Sequence, residues 1–98
     1  MRFLLDFTDS ALEDLGFFKK YEQALILDEM DTQLRYEPTI ETRNRKPLEP
    51  NALGEWELRI GEYRVFYDID AVEATVKVKA IGYKEHNTLY LRRKEYTL

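Results

Sequence analysis

Residues 54–70 run GEWELRIGEYRVFYDID, and the run alternates twice. Trp56, Leu58 and Ile60 take turns with Glu55, Glu57 and Arg59; past Gly61 and Glu62, Tyr63, Val65, Tyr67 and Ile69 take turns with Arg64, Phe66, Asp68 and Asp70. A period of two marks a strand with one buried face, and a two-residue loop led by glycine suits a type II′ hairpin turn. Centring the turn on Gly61 and Glu62 sets the register: Ile60 faces Tyr63, Leu58 faces Val65 and Trp56 faces Tyr67 on the apolar side. The same register puts Arg59 directly across from Arg64 on the polar side. Their Cβ atoms are then roughly 5 Å apart, where like charges ordinarily destabilise a sheet.

Downstream, residues 75–83 form a third strand in which Val76, Val78 and Ala80 alternate with Lys77 and Lys79. The tail HNTLYLRRKEYTL fits either one helical turn or an irregular segment. Upstream, residues 2–7 read as a short strand. Thr8 or Asp9 then caps a first helix with Ala11, Leu12 and Leu15 at helical spacing, and Gly16 breaks it. A second helix is predicted over 18–36, with Tyr21, Ala24, Leu27, Met30 and Leu34 on one face; it ends before Pro38 because the residue preceding proline avoids the α region. Residues 39–51, TIETRNRKPLEPN, carry two of the three prolines and no apolar period, which reads as an exposed connection. The expected fold is α+β: an N-terminal strand and two helices packed on one face of a three- to four-stranded antiparallel sheet, with the other face open.

The 98 residues suffice for one core, so residues 1–98 are expected to form a single domain. No apolar run is long enough to span a bilayer, and the first residues lack the basic start and cleavage site of a signal peptide; a cytoplasmic location is expected. The absence of Cys agrees and removes thiolate chemistry and cysteine-held metals. One His and scattered carboxylates do not make a zinc site, and no glycine-rich phosphate loop is present, so neither metal nor organic cofactor is expected. A net charge of −4 argues against an indiscriminate nucleic-acid binder. The charge is uneven, however: residues 1–42 hold four basic and ten acidic side chains, residues 43–98 eleven and nine. An RNA contact therefore belongs to the second part, with Arg43, Arg45 and Lys46 of the connection as candidates.

Two readings of the arginine pair are open. Glu57 and Glu62 can neutralise it as a solvated surface network, or the two forked guanidiniums can grip a phosphate and stabilise the charge that develops as a phosphodiester is cut. Lys79 is expected on the same face. Phe66 also points there, where it either stacks a base or, the favoured alternative, lies under the C-terminal tail. The third strand ends in IGYKEHNTLY, gathering Lys84, His86 and Tyr90 within seven residues. Histidine is the side-chain type that ordinarily changes charge near neutrality, so His86 can serve as general acid or base; an exposed polar residue at a strand end is the plain alternative. What remains is metal-free acid–base catalysis on a phosphodiester, or binding with no chemistry.

The W-x-L-R-x-G-x-Y-R-V-x-Y hairpin, followed by a strand ending A-I-G-x-K-E, resembles the RelE/ParE superfamily of bacterial type II toxin–antitoxin systems, and the resemblance covers nearly the whole chain. It implies a RelE-like, metal-free ribonuclease that enters the ribosomal A site and cuts mRNA by attack of the 2′-hydroxyl on the adjacent phosphate. It also implies that Arg59 and Arg64 stabilise the transition state, that Lys84 assists phosphate binding or leaving-group protonation, and that Tyr90 orients or stacks on the nucleotide. A further basic position of the RelE pattern is Glu57 here. With Glu57 taking the 2′-hydroxyl proton and His86 or Lys84 donating to the leaving 5′-oxygen, an acid–base pair is restored. The implied partners are a cognate antitoxin, the ribosome and mRNA, with operator DNA reached only through the antitoxin complex. Two other readings stay open: a ParE-like gyrase inhibitor, and a non-catalytic partner-binding or regulatory member, which the acidic net charge and Glu57 support.

Overall fold

The two alternating runs pair as antiparallel strands in the expected register, Trp56 with Tyr67, Leu58 with Val65, Arg59 with Arg64 and Ile60 with Tyr63. Only the first of the two turn residues, Gly61, takes a positive φ (57°), as a type II′ turn requires. The computed structural model describes residues 2–98. In chain order the elements are β1 (Leu4–Phe7), α1 (Asp9–Gly16), α2 (Lys20–Leu34), β2 (Arg45–Pro47), β3 (Trp56–Ile60), β4 (Tyr63–Asp70), β5 (Thr75–Glu85), β6 (Thr88–Leu91) and β7 (Lys94–Tyr96). The sheet runs β2-β3-β4-β5-β6-β7, each neighbouring pair antiparallel, with β1 parallel to β5. The α+β architecture is as expected. The sheet is wider than three or four strands because the connection supplies β2 and the tail supplies β6 and β7. No helix among the described residues is long and apolar enough to cross a membrane.

Ala11 and Leu15 of α1 and Ile26, Met30 and Leu34 of α2 pack on Leu58, Ile60, Val65, Tyr67, Val76, Val78 and Ile81 of the sheet. The buried stripe of α2 thus repeats every four residues from Ile26, and the expected Tyr21 and Leu27 are exposed. Thr8 caps α1 by accepting a hydrogen bond from the Ala11 N–H at 3.1 Å. Pro38, just past α2, offers its carbonyl to the Tyr67 hydroxyl at 2.6 Å, which ties the end of the helix layer to the sheet centre.

A β-bulge interrupts the β4–β5 ladder: Phe66 pairs with Ala80 but Tyr67 pairs with Val78, leaving Lys79 as the extra residue. The alternation of β5 therefore flips. Val76 and Val78 face the helices, Ala80 faces away, and Ile81 returns to the helix side. This corrects the expectation that Ala80 continues the Val76–Val78 row.

The face away from the helices is only partly open. Phe66, Ala80, Leu53 and Leu89 form a second buried cluster, flanked by Leu48, Leu91 and Tyr96 from the connection and the tail. The tail is neither helical nor irregular. It makes two tight hairpin turns, at His86 and Asn87 (φ 52° and 66°) and at Arg92 and Arg93 (φ 51° and 66°). Two successive left-handed residues are the type I′ signature, reached here without glycine.

One edge of β5 is shared. β1 takes Thr75 to Val78, β6 takes Tyr83 to Glu85, and α1 fills the gap between them. There the Thr8 N–H donates to the Val78 carbonyl at 3.0 Å, and Asp14 accepts the Ile81 N–H at 3.0 Å. The other oxygen of this buried carboxylate takes Arg92 Nε at 2.6 Å. Arg92 also reaches Glu13 at 3.0 Å and the Ser10 hydroxyl at 2.9 Å, so one side chain fastens the second tail turn to α1.

Candidate phosphate-binding face

The cross-strand arginines lie on the face away from the helices, as the register demands. Arg59 is bound by Glu57, whose carboxylate accepts Nε at 3.0 Å; the Arg59 side chain keeps 38% of its exposure and Glu57 is buried. Arg64 turns one terminal nitrogen back onto its own turn, donating to the carbonyls of Gly61 (2.7 Å) and Tyr63 (2.8 Å). Its Nε is the one buried side-chain nitrogen or oxygen among the described residues that has no hydrogen-bond partner. Burial pushes the Arg64 guanidinium below the ordinary arginine value; the Arg59 charge adds to this, and the carboxylates of Glu57 and Glu62 oppose it. Two guanidiniums on neighbouring strands, one of them half-buried, concentrate positive charge that suits an oxyanion reaching their exposed nitrogens.

The strand beside Arg64 is crossed by the tail. The partner of Arg64 across the β4–β5 ladder is Gly82. A Cβ at Gly82 would collide with the Tyr90 carbonyl, and it would lie 2.6 Å from a methyl carbon of Leu91. Only glycine lets β6 cross there, and the crossing closes over the strand beside Arg64. An isolated glycine inside a strand pattern is the signal that could have announced this crossing, which the sequence reading missed.

Other candidates fall into three groups. Lys46 pairs with Glu57 across β2–β3 and Lys84 lies two residues beyond Gly82, so both share the arginine face by strand alternation. Lys79, the bulge residue, is tied to Asp68 at 3.3 Å on that face, and Arg43 is exposed in the connection. Arg45 and Phe66 are corrections. Arg45 is buried and donates to the Gln33 carbonyl (2.8 Å), the Gln33 side chain (3.0 Å) and the Ile40 carbonyl (3.0 Å), so its guanidinium staples the connection to α2 and is not offered to RNA. Phe66 is fully covered by the tail and the connection, the favoured alternative, and cannot stack a base. The third group is displaced. His86 is exposed at the tip of the first tail turn. Tyr90 pairs with Tyr83 and stacks on it at 5.2 Å, and Tyr83 belongs to the helix side with Tyr63 and Phe18. Tyr90 is therefore on the opposite face from Arg59 and Arg64, because it pairs with Tyr83, one residue along from the Gly82 that faces Arg64, and successive side chains of a strand alternate. Asp14 and Arg92, which set the position of the tail, were not anticipated; acid and base are 78 residues apart, and no local pattern links them.

A helix pair covering one face of an antiparallel sheet, with adjacent arginines on the other, defines a RelE-like toxin fold. The chain belongs to the family described as ParE toxin of type II toxin–antitoxin system, whose model matches residues 5–88. Two solved structures are similar. The toxin–antitoxin complex RelBE2 of Mycobacterium tuberculosis matches at 28% identity and a TM-score of 0.70, over 86% of this chain and 100% of that one. The archaeal RelE–RelB complex of Pyrococcus horikoshii matches at 20% identity and a TM-score of 0.69, over 88% of this chain and 99% of that one, which shows the shared fold. No curated protein matches the sequence.

Proposed function

We propose that this toxin is a ribosome-dependent mRNA endonuclease of the cytoplasm, held inactive by a cognate antitoxin. The observation that carries the reading is the Arg59–Arg64 pair, side by side on a face the helices leave free, with one buried donor unmet. The two similar structures are toxin–antitoxin complexes of RelE and RelB type, which supports an antitoxin partner. Operator DNA is then reached through that complex.

In this reading a phosphate of mRNA docks against Arg59 and Arg64. Glu57, buried and already polarised by Arg59, takes the proton of the 2′-hydroxyl as its oxygen attacks phosphorus. The two guanidiniums carry the charge that builds on the nonbridging oxygens. Lys84 gives a proton to the departing 5′-oxygen, leaving a 2′,3′-cyclic phosphate. Lys84 fits the acid role better than His86, since it shares the arginine face and His86 sits in a turn beyond it. Expression without antitoxin, followed by mapping of mRNA ends, tests this. New 5′ ends within open reading frames are expected, and Arg59→Ala removes them. Growth arrest with no new ends overturns it.

One observation favours a second reading, inhibition by binding alone. Glu57 is clamped to Arg59, and Arg64 is partly spent on its own turn. Under that reading Glu57→Gln retains toxicity, and stalled gyrase with DNA damage replaces mRNA cleavage.

A further inference from the structure

On the opposite side of the sheet end, a cleft of about 560 Å³ opens between the α1–α2 connection and the strands, lined among others by Phe18, Lys19, Tyr63, Tyr83, Glu85 and Arg93. It uses neither arginine of the phosphate-binding face, although Lys84 also lines it. Its wall is aromatic and fixed: Phe18 stands edge-on to Tyr63 (5.5 Å) and to Tyr83 (6.2 Å), and Tyr83 is backed by Tyr90. The Tyr63 hydroxyl is committed to Glu22 at 2.6 Å. That hydrogen bond, with the Lys19 N–H, holds the Glu22 carboxyl below its ordinary value, so the floor is satisfied and carries no spare acceptor need. The rim is different. Lys19, Arg93 and Glu85 enter none of the ion pairs among the described residues, although Arg93 sits 5.9 Å from the Phe17 ring centre and Glu62 also lines the cleft.

We infer that this cleft binds a single nucleotide, with the base against the Tyr83 ring and the phosphate on Lys19 and Arg93. A flat half-exposed aromatic invites a base, since every base has a stacking face, and free cations at the same mouth call for an anion on the same ligand. The free Glu85 carboxylate sharpens the choice. It rewards a base edge carrying adjacent N–H donors, which guanine presents and uracil does not. A simple anion gains less, because Glu85 repels it. The site shares Lys84 with the cleavage proposal but neither arginine, so an arginine variant separates the two.

The test is titration of the purified full chain with GMP and, separately, UMP, followed by backbone and aromatic NMR shifts. Saturable GMP shifts at Phe18, Tyr83 and Lys19 are expected, with UMP at least ~10-fold weaker, the scale of a lost hydrogen-bonded edge. Tyr83→Leu and Lys19→Glu each weaken GMP; Lys19 is exposed, so the second variant keeps its fold and its circular dichroism spectrum. Arg59→Ala keeps GMP binding while losing mRNA cleavage, which separates the two proposals. Absence of saturable shifts at millimolar GMP overturns the inference. So does GMP binding untouched by both variants, or saturation of the cleft by an acidic aromatic peptide in place of GMP.

Discussion

The two faces of the sheet come from the same alternating strands, yet they are covered in opposite ways. On the helix side, seven strand residues meet five from α1 and α2 in one continuous apolar core. On the other side, Phe66, Ala80, Leu53 and Leu89 form a small cluster beneath a connection and a hairpin, and beside them Arg59 stays accessible and Arg64 half-buried. The first face is closed by the two helices α1 and α2. The second is closed by β6 and β7, whose crossing needs a glycine at position 82 and whose far turn is held by Arg92 on Asp14. The fold thus places its permanent core and its adjustable surface on opposite sides of one sheet. The proposed cleavage chemistry needs a partly bare cationic surface, and the arginine pair supplies it on the second face.

The sharpest break in that comparison is Met30→Ala. Met30 is fully buried in the helix-side core, and truncation is expected to cost about 3 kcal/mol, within the range for large-to-small core changes. Denaturant unfolding should show one transition shifted as a whole. A biphasic curve, with the tail unfolding separately, would mean the two faces are not one cooperative unit.

Gly82→Ala comes next, at about 1–3 kcal/mol for an overpacked site. Its added methyl meets the Tyr90 backbone and Leu91, so relief comes from lifting β6 off the strand. Hydrogen exchange should lose protection at Leu89 and Leu91 and keep it at Leu58 and Val65. Equal losses on both faces would count against a separable cover.

The register of β3 and β4 was legible because a glycine-led two-residue turn leaves one pairing that puts Trp56, Leu58 and Ile60 on the side of Tyr63, Val65 and Tyr67. Neighbouring features were hidden for identifiable reasons. In α2, Tyr21, Ala24 and Leu27 fit helical spacing as well as Ile26, Met30 and Leu34 do, and only the sheet chooses between them. In β5, Val76 to Ala80 alternates without a break, so nothing marks Lys79 as the bulge. Arg45 is satisfied by carbonyls of Gln33 and Ile40, acceptors that every residue owns and no sequence advertises. The tail turns use His86, Asn87, Arg92 and Arg93, which lack the glycine that ordinarily announces a type I′ hairpin. The arginine pair was therefore readable, but the placement of Tyr90 and His86 around it was not.

Arg92→Gln should have a smaller effect than Gly82→Ala. The variant loses the bonds to Asp14, Glu13 and Ser10 but leaves Leu91 and Tyr96 packed, and Asp14 still holds the Ile81 N–H. Trypsin should cut at Arg93 and Lys94 faster than in the parent chain, with the unfolding midpoint little changed. A midpoint shift as large as that of Gly82→Ala would show that the clamp supports the whole fold and not the cover alone.

The smallest expected effect lies on the helix side, at the Tyr63–Glu22 bond that ties β4 to α2. Tyr63→Phe removes one partly exposed hydrogen bond and should cost under about 1 kcal/mol at pH 7. Its pH dependence is more informative than its size. The Tyr63 hydrogen bond holds Glu22 below its ordinary 4.5, so that contribution is present above this value and fades as pH falls through the lower folded value. The same bond to Glu22, with burial, pushes Tyr63 from 10.0 up to about 12, so its contribution is present below pH 10 and fades as pH rises through about 12. The stability difference between parent and variant should therefore be flat from about pH 5 to 10 and shrink at both ends. A difference that stays constant to low pH would show that the Glu22 charge gains nothing from the Tyr63 hydroxyl, and the helix side would then be held at this point by the ring packing that the variant keeps.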